Sequence, residues 1–105
     1  MINLSKACLN RYTSIQSQQR VSFELNRLAK LLQLQSLEYI DWSTFSRTTV
    51  VTLLNRPELK TRKASTQNFT LNVIKRLCEE ALNAQLISEK QYSAIAHIPR
   101  FRGEY

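Results

Sequence analysis

The chain has 105 residues, 43% hydrophobic and 22% charged, a composition that suits one soluble domain with its own core. One Gly and two Pro, where average usage is about 7 and 5 per hundred residues, argue against tightly turned antiparallel sheet and for an all-α protein. Fifteen Lys and Arg against eight Asp and Glu give a formal charge of +7, which fits a polyanion partner or a merely basic, soluble surface.

Residues 1–15 scatter Ile2, Leu4, Leu9, Tyr12 and Ile15 among polar residues, and Leu4, Cys8, Leu9 and Tyr12 fit a short helix expected to fray. From about Ser17 to Leu34, Val21, Leu25, Leu28, Ala29 and Leu32 recur at i, i+4, i+7, i+8 and i+11, the apolar stripe of an amphipathic helix. Phe23 and Leu34 fall on the opposite side of that wheel. Leaving a Phe in water forgoes roughly 2 kcal/mol of burial. Either the N-terminal segment folds over Phe23, the simpler expectation, or a second protein covers it.

Residues 35–40 are expected to form a loop, with Asp41 as a helix N-cap and Trp42 and Phe45 plugging the core. Ser46-Arg47-Thr48-Thr49 is a second start signal, before Val50, Val51, Leu53 and Leu54. The β-branched run Thr49 to Val51 is a poor helix former. Helix is still expected, since an isolated strand would have no partner, and Arg56-Pro57 ends it.

Glu58 to Lys63 is a polar, basic connector into a helix expected from about Ser65 to Ala84. Phe69, Val73, Leu77 and Ala81 span one edge of its apolar stripe, with Ile74 and Cys78 at the other. Asn68, Asn72, Lys75 and Glu79 recur on the far face, flanked by Ser65 and Arg76. A polar helical face usually meets solvent. Here two Asn, mediocre helix formers, share it, and a Ser/Thr-bearing N-terminus is a natural phosphate seat.

Charge is concentrated around this helix. Residues 1–46 hold five basic and three acidic residues (+2), residues 47–76 seven basic against Glu58 alone (+6), and residues 77–105 three basic and four acidic (−1). Ser88 with Gln91 makes a capping box before Tyr92, Ile95 and Ala96, and Pro99 stops that helix beyond His97, expected to be a helix-end residue. The terminal Pro-Arg-Phe-Arg-Gly-Glu-Tyr has the character of a linker.

Two cysteines, Cys8 and Cys78, do not make a disulfide framework, and Cys78 is expected to be a buried small hydrophobe. No apolar run approaches the ~20 residues that cross a bilayer and no signal peptide is visible, so a cytoplasmic location and no membrane partner are expected. There is no Gly-rich phosphate loop, paired metal ligands, nucleophile elbow or Cys-x-x-Cys. No metal, no cofactor and no catalytic residue are expected, which leaves binding.

Three stretches carry a family resemblance. Ser17-Gln18-Gln19-Arg20 with Phe23 to Leu32, the run Ala64 to Ala81 with its Ser-x-x-Asn-x-x-Leu-x-x-Ile-Lys spacing, and Ile98-Pro99-Arg100-Phe101-Arg102-Gly103 occur in this order. Together they resemble the N-terminal core-binding (SAM-like) domain of tyrosine recombinases, the phage and integron integrases, over residues 17–103. The resemblance implies a four- to five-helix orthogonal bundle over residues 1–98, with 99–105 starting a linker to a catalytic domain that lies elsewhere. It implies a protein that grips duplex DNA, acts with other protomers as a tetramer on DNA, and does not cut DNA by itself.

By the same resemblance, Asn68 and Asn72 would read adenine edges, and Lys75 or Arg76 guanine or phosphate. Ser65 and Thr66 would seat a phosphate, while Lys60, Arg62 and Lys63 track the backbone. Arg47 and Thr48 would reach phosphates from the second helix, as would Arg100 and Arg102 from the linker. Tyr105 is not expected to be the family's nucleophile. Two other readings remain: a self-associating helical domain docking through Phe23, and a small helix-turn-helix regulator, disfavoured by the loop of about eight residues before Ser65.

Overall fold

The computed structural model describes residues 4–35 and 37–101. They form α1 (Leu4–Leu9), α2 (Ile15–Leu31), a 3₁₀ turn (Leu37–Tyr39), α3 (Arg47–Leu54), α4 (Pro57–Lys60), α5 (Ala64–Asn83) and α6 (Glu89–Ala96), with no strand among the described residues. The protein is all-α. Its helix count exceeds expectation because α1 is docked rather than frayed, and because one helical turn, α4, interrupts the connector.

Serines open three of the helices. Ser14 Oγ accepts the Ser17 N–H at 3.0 Å to cap α2, and Ser46 and Ser88 form capping boxes with Thr49 and Gln91. The Ser46 box explains why the β-branched run is tolerated in α3. Thr49 sits at N3, where its hydroxyl accepts the Ser46 N–H at 3.3 Å. Pro57 opens α4 at a position whose N–H has no helical acceptor.

Two helices end on a left-handed residue without glycine. Gln33 and Gln85 have φ of 61° and 62°, and each follows the C-cap of a long helix. The Leu34 N–H reaches Ala29 O and the Leu86 N–H reaches Ala81 O, both at 2.8 Å, completing Schellman closures. A non-glycine residue there costs on the order of 1 kcal/mol; the closing hydrogen bonds offset it.

Asp41 does not cap a helix. Its carboxylate accepts from the Ser43 N–H at 3.1 Å and from the Ser43 hydroxyl, holding a turn. Trp42 and Phe45 plug the core from that turn, with ring centroids 4.9 Å apart. Gln91 of α6 donates to the carbonyls of both, at 3.4 and 3.3 Å.

α5 is the central element: α1, α2, α3 and α6 all pack on it. Leu71, Val73, Ile74, Leu77, Cys78 and Ala81 on α5 are buried, and Leu28, Val50, Leu59 and Ile95 meet them in one continuous core. Each fully buried Leu or Ile contributes roughly 2 kcal/mol. Leu4 and Cys8 anchor α1 into the same core, which is why that segment is helical despite its weak periodicity. The radius of gyration, 13.2 Å, matches the ~13 Å of a single domain this size.

Candidate nucleic-acid interface

α5 begins at Ala64, with Lys63 at its N-cap, so Ser65 and Thr66 lie two and three residues inside the helix, past the capping position. Lys63 supplies no side-chain cap. Gln67 Nε2 donates to Arg62 O at 2.6 Å and to Lys60 O at 3.3 Å, tying the connector to the first turn of α5. Lys60, Lys63 and Ser65 are exposed around this start, and Thr66 is half-buried.

Arg62 turns the other way. Its guanidinium donates to Glu24 of α2 at 3.0 and 3.4 Å and to Thr70 Oγ1 at 3.0 Å. The Thr70 hydroxyl in turn donates to Glu24 at 2.8 Å. Glu24 is 3% exposed and ties α2 to the connector through Arg62 and to α5 through Thr70. The expectation that Arg62 tracks a DNA backbone is corrected: its charge is spent inside the fold.

The far face of α5 is only partly open. Asn68 is buried and makes two hydrogen bonds to one residue of the C-terminal segment, donating to Phe101 O at 2.9 Å and accepting from Phe101 N–H at 2.7 Å. Lys75 Nζ donates to Ile98 O at 2.8 Å. Asn68 therefore faces its own chain rather than a base edge, because it is 9% exposed and its amide is turned to the Phe101 main chain. Asn72, between the two, stays exposed, as does Arg76, whose guanidinium lies 5.6 Å from the Tyr12 ring centroid. Burial, aided by the Arg100 charge, lowers the Lys75 ammonium below the ordinary lysine range.

Arg47 and Thr48 open α3 and are exposed. Arg47 shares a groove of about 430 Å³ with Val51, Leu54 and the segment Ile98 to Phe101, so that Arg100 lies on the same groove. Arg102 lies outside the described residues.

At the other end of α5 one arginine holds the acidic pair. Arg11 donates to both Glu79 oxygens, at 3.0 and 2.8 Å, and its Nε lies 2.8 Å from Glu80. The hydrogen bond from Arg11 pulls the Glu79 carboxyl below its usual range.

α2 also carries a cationic face. The Arg20 guanidinium lies 4.0 Å from the Phe69 ring centroid, Arg27 lies 5.1 Å from Phe23, and Lys30 is exposed beside them. The spacing Arg20, Phe23, Arg27 at i, i+3 and i+7 was the available signal. Phe23 is 62% exposed. The N-terminal segment does not cover it, because α1 packs instead on α5, α2 and the 3₁₀ turn.

Among the described residues no group of His, Cys, Asp and Glu is arranged to hold a metal ion. Both cysteines are free and buried, and burial pushes the Cys78 thiol up to about 12, which keeps it protonated and unreactive. His97 is the C-cap of α6, with Nδ1 2.6 Å from Ser93 O. No helix among the described residues is long and apolar enough to cross a membrane. Comparisons with protein-family models, curated proteins and solved structures find no match to this chain.

Proposed function

We propose that this chain is a duplex-DNA-binding module, the core-binding domain of a site-specific tyrosine recombinase whose cutting and rejoining chemistry resides in a separate domain. The observation that carries this proposal is how the charges divide. Glu24, Glu58, Glu79 and Glu80 are consumed by ion pairs with Arg62, Arg56 and Arg11. Arg47, Lys60, Lys63, Arg76 and Arg100 have no carboxylate partner among the described residues and remain exposed, on the connector, α3, α5 and the C-terminal segment. Exposed cations on these elements that form no ion pair suit a phosphate backbone. In this arrangement Lys60, Lys63 and Arg47 hold phosphates, Ser65 supports them, and Asn72 with Arg76 is left to meet base edges.

The test is a duplex titration over a salt series. Lys60→Ala/Lys63→Ala is expected to reduce the slope of log affinity against log salt by roughly 2, since each phosphate contact contributes about 0.9. Arg62 is left intact, as its removal would damage the fold. Absence of duplex binding at low salt, or an unchanged slope in the double variant, would overturn the proposal.

A second reading rests on the exposure of Phe23. A recombinase domain working with other protomers needs a contact surface, and a bare phenyl ring on α2 is a natural anchor. Phe23→Ala is expected to abolish concentration-dependent self-association in sedimentation velocity without lowering the melting temperature. A wild-type chain that stays monomeric at high concentration eliminates this role.

A further inference from the structure

We propose that Asn68 is a positioning residue that holds the C-terminal segment on α5 so that Arg100 and Arg47 together take one DNA backbone phosphate. This rests on the duplex-binding function proposed above and names one of its phosphate sites.

The geometry of the segment is two-ended. Asn68 grips the Phe101 main chain through both ends of its amide, and Lys75 grips Ile98 O. Seven helical residues from Asn68 to Lys75 span ~10.5 Å, and three extended residues from Ile98 to Phe101 span ~10 Å. Asn68 holds Phe101 and Lys75 holds Ile98, so the segment runs antiparallel to α5. Ile98 is buried and Phe101 packs against the core, while Pro99 and Arg100 between them are exposed. Pro99 has no N–H to satisfy, which suits a residue bridging two anchors.

The result is a groove with an apolar floor, Val51, Leu54 and Pro99, bearing Arg47 and Arg100. Among the described residues no carboxylate lines it. Two guanidinium groups on one groove suit an anion between them, since guanidinium groups match phosphate oxygens bidentately. The apolar floor suits the deoxyribose beside that phosphate. In this scheme Asn68 never touches a base. It determines where Arg100 stands.

The experiment is fluorescence anisotropy with a fluorescein-labelled duplex oligonucleotide over a salt series, using the full chain and the variants Arg100→Ala, Asn68→Ala, Arg47→Ala and their doubles. Arg100→Ala is expected to weaken binding by about ten-fold and to lower the salt slope by about 0.9. Asn68→Ala is expected to do the same, and Asn68→Ala/Arg100→Ala is expected to be no weaker than either single variant. A wild-type slope in Asn68→Ala, additive losses in the double, or tighter binding by Asn68→Ala would each overturn the inference. If Asn68→Ala fails to fold by circular dichroism, the exposed pair Arg47 and Arg100 decides: coupled losses support a shared phosphate and additive losses refute it. A wild-type chain that binds no duplex defeats the functional proposal itself. One that binds but is indifferent to these changes defeats only the inference.

Discussion

Glu24→Ala is expected to lower the unfolding free energy by about 3 kcal/mol, the largest loss from any single charge in this chain. Glu24 is 3% exposed and meets Arg62 and Thr70 at once. Removing the carboxylate leaves a guanidinium only 17% exposed with no counter-charge and a threonine hydroxyl without its best acceptor. Breaking a buried pair costs more than the pair contributes, because the surviving charge remains desolvated. The double variant Glu24→Met/Arg62→Met is therefore expected to recover most of the loss. Urea denaturation checks both. A single variant within about 0.5 kcal/mol of wild type, the usual range for surface changes, would show that water reaches Arg62.

Trp42→Ala is expected to cost about 3–5 kcal/mol, the range for truncating a large buried aromatic. Trp42 is 8% exposed, packs against the Phe45 ring at a 58° tilt, and lies in the turn whose carbonyls accept from Gln91. Truncation opens a cavity where that turn meets α6, and it loosens the carbonyls that hold Gln91. For a domain of this size 1 kcal/mol corresponds to roughly 4 °C or more in melting temperature, so a fall of at least about 12 °C is expected by calorimetry. A Trp42→Phe variant retains a ring to pack on Phe45 and is expected to lose much less. Equal losses in the two would place the effect in the backbone of the turn.

Both residues bear on what could be read before the structure. Trp42 was legible, since a lone Trp three residues before a Phe has few places to go but the core. Glu24 was not, although it lies at i+3 from Val21 and i−4 from Leu28, inside the apolar stripe. A carboxylate there implies a partner, and the partner stands 38 residues away. The polar face of α5 misled for the same reason. Asn68 and Lys75 have the spacing of a solvent or ligand face, but their acceptors lie 33 and 23 residues on. Nothing local distinguishes an asparagine that reads DNA from one that holds its own chain.

The sequence by itself determined the all-α class, the stripes of α2 and α5, the serine starts of α3 and α6, the buried Cys78 and the surplus of positive charge. All of these depend on neighbours within four residues, or on composition. Tertiary structure alone decided which charges remain available. Arg62 was turned inward by Glu24, Arg11 was drawn onto Glu79 68 residues away, and the C-terminal segment was laid over Asn68. Charge pairing depends on distance in space, and a one-dimensional spacing rule reaches only one helical face. The basic stretch from Lys60 to Arg76 is therefore a smaller surface than its composition suggests, and Arg100, from outside it, is joined to it by folding.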